Sequence, residues 1–195
     1  MNRRQLLQGA VATAAGFASL SPAHAAKGPP QVFLLRGGVV GIFSTGMDEI
    51  AGALRKRGVQ AAVEGHTAWS SVARQIALEN QQLGKSPVAL VGHSFGADAI
   101  IKVAEILRRD KISVDILISI AATNPDPLPP NVRRAVSYYF SEHGWGLPLV
   151  GATGFRGKLS NRDYSGAANV GHFNIDKQRS VQDEIMQLVL WTVGR

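Results

Sequence analysis

Val88-Ala-Leu-Val-Gly92-His-Ser94-Phe-Gly96-Ala-Asp-Ala-Ile-Ile101 is the stretch whose reading decides the fold. It runs from a continuously apolar segment through an abrupt Gly-x-Ser-x-Gly turn into an amphipathic pattern. That is a buried strand, a tight turn and a helix, the context that a nucleophilic serine at an elbow requires. The turn forces its central residue into a strained backbone conformation. Side chains two positions before and after would collide, and both of those positions are glycine. The following helix directs its first N–H groups at the place where an oxyanion would form. Without its flanks the five-residue pattern would be equally compatible with a serine that only caps a helix.

Outward from this point, the rest of the chain alternates strands and helices. Gln31-Val-Phe-Leu-Leu35 reads as a buried strand ending in the loop Arg36-Gly37-Gly38-Val39. Thr45-x-x-Asp48 has capping-box spacing, with Met47, Ile50, Ala51 and Leu54 on one helical face up to Gly58. Val59–Val63 is the next strand. Ser70 or Ser71 would cap a helix that turns Val72, Ile76 and Leu83 inward and stops at Gly84. After the elbow helix, Val114–Ile120 and Ala135–Phe140 read as further strands. Residues 158–170 allow one short last strand, and Ser180-x-x-Asp183 would cap a terminal helix. Continuously apolar strands separated by helices predict an α/β fold. The expectation is one domain, a three-layer α/β/α sandwich around a mostly parallel sheet. Sites in such sheets lie at the carboxyl ends of the strands.

The first 25 residues are set apart from this domain. Met1-Asn-Arg3-Arg4 is followed by a short, mildly apolar run and by Ala23-His24-Ala25, an Ala-x-Ala cleavage site. The paired arginines resemble a twin-arginine export signal. Residues 1–25 are therefore expected to be a cleaved signal peptide and residues 26–195 the functional domain, periplasmic or secreted. The apolar run is too short for a stable membrane span. The chain has no cysteine, which excludes disulfides, thiol nucleophiles and zinc–thiolate sites. Its net charge of +7 is scattered and partly carried by the leader, so nucleic-acid binding is not expected. No His/Asp/Glu cluster has metal-ligand spacing, and no metal or other cofactor is expected.

The order strand, Gly-rich loop, helix, strand, helix, strand, Gly92-His-Ser-Phe-Gly96, helix is similar to that of the α/β-hydrolase family, over most of residues 26–195. The resemblance is to its small esterase, lipase and thioesterase-like members, without the first antiparallel hairpin and without a large lid. It implies that Ser94 is the nucleophile and that a histidine after the last strand is the base. His172, in the loop before the terminal helix, stands at that place. His143 is the second choice, His66 would line a pocket, and His93 would pack or hydrogen-bond beneath the elbow. The acid is left open among Asp126, Glu142 and Asp163, with a Ser–His dyad that has no acid as the remaining alternative. Asp126 is favoured because it follows the strand after the nucleophile and is stiffened by Pro125 and Pro127. Asp98 is read as a helix-dipole partner, and Asp115 lies at the wrong end of the sheet. The oxyanion donors would be the N–H of Phe95 and that of Gly38 or Val39. Many relatives carry histidine where this chain has Arg36, which leaves backbone donors intact.

The chain is thus expected to cleave a small-molecule acyl ester or thioester, with the acyl group held by Ile42, Phe43, Trp69 and Trp145. The competing reading is a non-catalytic protein of the same fold that binds a ligand or partner. The leader generates the first test. Arg3→Lys combined with Arg4→Lys should leave uncleaved precursor in the cytoplasm. N-terminal sequencing of exported wild-type protein should read from Ala26, and a Met1 start would contradict the assignment.

Overall fold

The computed structural model describes residues 28–38, 44–142 and 145–194. The expected leader, and Val39, Ile42, Phe43 and His143 among the site candidates, lie outside the described residues. Six strands form one all-parallel sheet among the described residues: β1 (Gln31–Arg36), β2 (Ala61–Gly65), β3 (Val88–His93), β4 (Ile116–Ile120), β5 (Arg134–Tyr139) and β6 (Lys158–Asp163), in the order β2-β1-β3-β4-β5-β6. The helices are α1 (Gly46–Lys56), α2 (Trp69–Leu83), α3 (Phe95–Arg109) and α4 (Arg179–Val193). This is the single-domain α/β architecture with a parallel sheet expected from the alternation, and it is α/β-hydrolase-like, as the resemblance implies.

Side-chain alternation along the strands divides the core into two layers. Val32, Leu34, Val91, Ile118 and Ile120 face α1 and α4, where Ile50, Leu54, Ile185 and Val189 meet them. Phe33, Leu35, Leu90, Leu117 and Ala135 face α2 and α3, against Val72, Ile76, Ile100 and Leu107. Each fully buried Leu or Ile of these layers contributes about 1.5–3 kcal/mol relative to exposure. Because both faces are covered, β1, β3 and β4 carry no polar alternation. β6 is the polar edge: Lys158-Leu-Ser-Asn-Arg-Asp163 packs Leu159 against the α2/α3 layer. Arg162 ion-pairs with Glu184 of α4, and its guanidinium lies over the Tyr138 ring, 5.4 Å from the centroid. Tyr138 is fully buried and donates its hydroxyl to Glu184 at 2.8 Å, so the edge strand is fastened through polar contacts.

Several local expectations need correction. Thr45 is in the αR region and makes no side-chain cap. The N–H of Gly46 is instead received by Asp176 Oδ2 at 3.0 Å, so a remote carboxylate serves the start of α1. Helix α2 starts at Trp69, after a short 3₁₀ turn over His66–Ala68, and Ser71 Oγ bonds back to the Ala68 carbonyl instead of capping. Helix α4 begins before Ser180, with Gln178 at its N-cap. Leu83 is half exposed, since the inward stripe of α2 is Val72, Ala73 and Ile76.

Among the described residues the path runs from β1 outward to β2 and returns across β1 to β3. The order therefore reverses between β1 and β3, and ligands of open parallel sheets bind outside the carboxyl ends of the strands at such a point. There the backbones are packed too closely for side chains. A Cβ on Gly96 would lie 2.0 Å from the Leu35 carbonyl oxygen, and one on Gly92 would lie 2.3 Å from the Gly96 oxygen. Gly52, within α1, has nothing within 4 Å of its Cβ position. Gly96→Ala should therefore lower stability by at least the ~1–3 kcal/mol of an overpacked core. Gly52→Ala should raise it by about 0.4–1 kcal/mol. Thermal melts of the two variants check both signs.

Candidate active site

Ser94 joins β3 to α3 with φ 59 and ψ −127, a conformation that costs a non-glycine residue about 1–3 kcal/mol. The fold fixes it: the Ser94 N–H bonds to the Ile120 carbonyl at 2.9 Å, and the Ser94 carbonyl receives the N–H groups of Ala97 and Asp98. Its hydroxyl emerges beside the imidazole of His172, with Ser94 Oγ 2.9 Å from His172 Nε2. The expected nucleophile and base, 78 residues apart in sequence, are in hydrogen-bond contact.

His172 sits in a loop that is bonded to itself and to the core. Gly171 donates to Asn174 Oδ1, the Gly171 carbonyl accepts from Asn174 and Ile175, and Asn174 Nδ2 donates to the Asn169 carbonyl. The carbonyl of His172 faces His93 Nε2 at 2.8 Å. Trp145 and Phe173 stand edge-on to the His172 ring, with centroids 5.0 and 5.1 Å away. Burial holds the His172 pKa below its ordinary value, aided by the neighbouring His93; the Trp145 backbone and the carboxylates of Asp176 and Asp98 pull the other way. Nδ1, the nitrogen facing away from Ser94 Oγ, is buried and has no hydrogen-bond partner among the described residues. The Trp145 backbone favours the protonated ring without reaching Nδ1 in hydrogen-bond geometry.

The carboxylates expected to serve Nδ1 are placed elsewhere. Asp98 accepts the N–H groups of Thr123 and Asn124 and the Thr123 hydroxyl, a tether to the loop after β4 beyond the dipole role expected of it. That tether draws the loop across the start of α3. Asp126 then lies exposed beside Trp69, Lys102, Glu105 and Arg109, on the α3 side and away from the Ser94 cavity. Asp163 brackets the turn after β5, accepting from the Ser141 N–H and hydroxyl and from the Ser165 N–H. These bonds, the Ser141 hydroxyl foremost, hold its carboxyl well below the usual carboxylate range. Glu142 is exposed, and it is its N–H that is engaged, by Ser165 Oγ.

A cavity of about 450 Å³ opens over Ser94 and His172, bounded by Gly37, Gly38, Phe95, Thr123, Trp145 and Phe173. Phe95, Trp145 and Phe173 are each about half exposed, so the rim is aromatic. Trp145 is held there because the Phe140 N–H bonds to the Gly146 carbonyl and the Leu147 N–H to that of Ala122. The N–H of Gly37 is engaged by Ser44 Oγ at 3.1 Å. Those of Phe95 and Gly38 have no hydrogen-bond partner among the described residues and border the cavity. Trp69, expected in the acyl pocket, instead lies with Asp126, because α2 begins at that residue and packs it against the α3 layer. His66 packs against Phe95 with the rings tilted at 42° and centroids 5.5 Å apart, and it borders a neighbouring depression. Phe173, Thr123 and Ser44 went unrecognised in the sequence. Phe173 had a usable signal, as the neighbour of the expected base, whereas Ser44 reaches the site only through tertiary packing.

A larger concavity of about 680 Å³ lies at the amino ends of the strands, among Asn80, Lys85, Asp110, Asp115 and Arg133. It holds no nucleophile–base pair, and Asp115 there is already engaged by the Val88 N–H and by Arg133. Among the described residues no group of three His, Asp or Glu side chains is arranged to hold a metal ion, and no helix is long and apolar enough to cross a membrane.

No family model and no curated protein sequence matches this chain. Among solved structures it is similar to the lin2722 gene product of Listeria innocua, with a TM-score of 0.50 at 13% identity over 85% of this chain and 94% of that one. An iodinated complex of an acetyl xylan esterase gives a TM-score of 0.47 at 12% identity, over 87% of this chain and 100% of that one. At 13% identity the likeness to the first of these concerns the fold alone.

Asp176 closes the His172 loop against α1 and is fully buried, with Oδ1 unpartnered among the described residues. Burial pushes its carboxyl up from 3.8 to about 6, against the opposing bond from Gly46. A carboxyl raised on folding contributes stability that is present at low pH and is lost as pH rises through the folded value. Asparagine does not titrate. The stability of Asp176→Asn relative to wild type should therefore rise between about pH 4 and about pH 8, by at most ~3 kcal/mol. Paired thermal melts across that range read the trend, and a flat or falling difference would contradict it.

Proposed function

We propose that this chain is an exported serine hydrolase that cleaves acyl esters or thioesters, with Ser94 as nucleophile and His172 as general base. The observation that carries the reading is the 2.9 Å contact between Ser94 Oγ and His172 Nε2 at a strained elbow beside unengaged N–H groups. A serine hydroxyl is a weak nucleophile until a base takes its proton. Ser94 Oγ attacks the acyl carbonyl while His172 Nε2 accepts the proton. The N–H groups of Phe95 and Gly38 stabilise the developing oxyanion. His172 returns the proton to the departing alcohol or thiol, leaving an acyl-serine. Water, deprotonated by His172, then attacks that ester, and His172 returns the proton to Ser94 Oγ as the acid is released. The aromatic rim suits an apolar acyl group, held against Trp145, Phe95 and Phe173.

With no carboxylate at Nδ1 among the described residues, the reading is a Ser–His pair whose imidazolium is supported by the Trp145 backbone and by the more distant Asp176 and Asp98. The same unpartnered Nδ1 favours a second reading, a ligand-binding protein that keeps the fold and has lost turnover. Export rests on Arg3, Arg4 and the Ala23-x-Ala25 site, and it would place the domain in the periplasm or outside the cell.

A panel of nitrophenyl esters of increasing acyl length separates the two readings. Wild type should turn over the panel, and Ser94→Ala should lose about 10³–10⁶ in kcat with an unchanged melting curve. Asp126→Asn should stay within about threefold of wild type, since that side chain does not meet His172. His172 must be neutral to accept the proton, and burial favours the neutral ring. Activity should therefore fall as pH drops through a midpoint below 6.5, the ordinary histidine value. Turnover that survives in a folded Ser94→Ala variant would refute the proposal.

A further inference from the structure

We propose that His93 is a positioning residue that sets the base loop and the oxyanion loop in register across Ser94. The inference rests on the serine-hydrolase reading and extends it to a side chain that the reaction steps leave unused. His93 is the last residue of β3, adjacent to the nucleophile, and its ring points into the protein with 1% of the residue exposed. Its Nε2 lies 2.8 Å from the carbonyl oxygen of His172, and its Nδ1 lies 2.8 Å from Ser44 Oγ. Ser44 Oγ in turn receives the N–H of Gly37 at 3.1 Å.

The proton positions follow from what each atom can do. A carbonyl only accepts, so Nε2 carries the hydrogen and donates it to His172. Burial holds the His93 pKa down to about 4, so the ring is neutral near pH 7 and has one N–H. Nδ1 must then accept the Ser44 hydroxyl hydrogen, which leaves a Ser44 lone pair to receive the Gly37 N–H. The wire runs one way: Gly37 to Ser44, Ser44 to His93, His93 to His172. Reversing the tautomer would leave the His172 carbonyl facing a lone pair, so neither ring nitrogen is interchangeable.

Its two ends are the halves of the proposed machinery. In triad enzymes a carboxylate on the far imidazole nitrogen orients the base. Here that nitrogen has no partner among the described residues, so the ring is aimed by its backbone and by the Trp145 and Phe173 edges. The His172 carbonyl, held by His93, is the backbone atom that fixes that aim. At the other end the wire fixes Gly37, and the next residue, Gly38, carries the proposed oxyanion N–H. Gly37 is pressed against the same segment, since a Cβ there would lie 2.5 Å from the His93 carbonyl oxygen and 2.6 Å from Ser94 Cβ. One imidazole beneath the nucleophile thus spaces donor and base around it.

The test compares the wild-type full chain with His93→Phe, His93→Gln and Ser44→Ala. It uses steady-state kinetics on a short-chain nitrophenyl ester, and hydrogen exchange of peptides covering 31–38, 169–177 and, as a control, 69–83. Phenylalanine keeps the ring and loses both bonds. His93→Phe should lower kcat about 10²-fold, as small misplacements of a catalytic group do, with KM within about threefold. Exchange should quicken in 31–38 and 169–177 and stay unchanged in 69–83. Glutamine can place an N–H where Nε2 stood. His93→Gln should restore protection of 169–177 and about a tenfold part of kcat, while Ser44→Ala should loosen 31–38 alone. Wild-type kcat in His93→Phe would overturn the proposal. So would uniformly faster exchange with no rescue by glutamine, which would make His93 an ordinary core residue. If wild type itself turns over no ester, the hydrolase reading fails, and the catalytic part of this inference fails with it. The exchange pattern then decides whether His93 ties the two loops.

Discussion

The carbonyl oxygen of Leu35 occupies the space that a side chain at position 96 would need. The site depends on that contact. It presses the end of β1 against the first turn of α3, so the loop after β1 and the elbow after β3 are held as one packed unit. Gly37, Gly92 and Gly96 remove the Cβ atoms that would force these backbones apart. In return the chain holds Ser94 at positive φ, a strain it can sustain because β3 is paired on both sides and the Ser94 N–H is anchored on β4. The strained residue and two unengaged N–H groups therefore converge on one cavity.

His172 reaches this cavity from the far end of the chain, and its loop is located by two buried polar side chains, His93 and Asp176. His93 is held neutral and Asp176 is pushed toward its protonated form, both mainly by desolvation. Each anchors the loop through one hydrogen bond, His93 at the His172 carbonyl and Asp176 at the start of α1. The rise at Asp176 reflects the cost of an ionised carboxylate beside the apolar layer of α1 and α4, with no cation bonded to it among the described residues.

Much of this was legible in the sequence wherever one local rule governed the outcome. The continuous apolar runs of β1, β3 and β4 reported a sheet covered on both faces, and Gly92-x-Ser94-x-Gly96 reported the elbow. The stripe Met47, Ile50, Ala51, Leu54 is buried as its spacing predicted. Failures came where a remote group took over a local task. Thr45 has a capping sequence, but Asp176 supplies the bond, 130 residues away. Asp126 lies in a suitable loop after the right strand, but Asp98 ties that loop to α3 and carries the carboxylate off. β6 gave little apolar signal because its role is that of a charged edge, fastened by Arg162 and Glu184. The wire through Ser44 and His93 leaves no pattern in sequence, since it joins three segments that meet only when the sheet is assembled.

The central claim is that the Ser94 hydroxyl is the reactive group of this molecule. Incubating the purified protein with a fluorophosphonate, followed by intact mass and peptide mapping, addresses that claim most directly. The account predicts a single covalent adduct, on the peptide that contains Ser94, formed in the native protein and abolished by prior unfolding. No adduct under native conditions, or an adduct carried by any other serine, would contradict it.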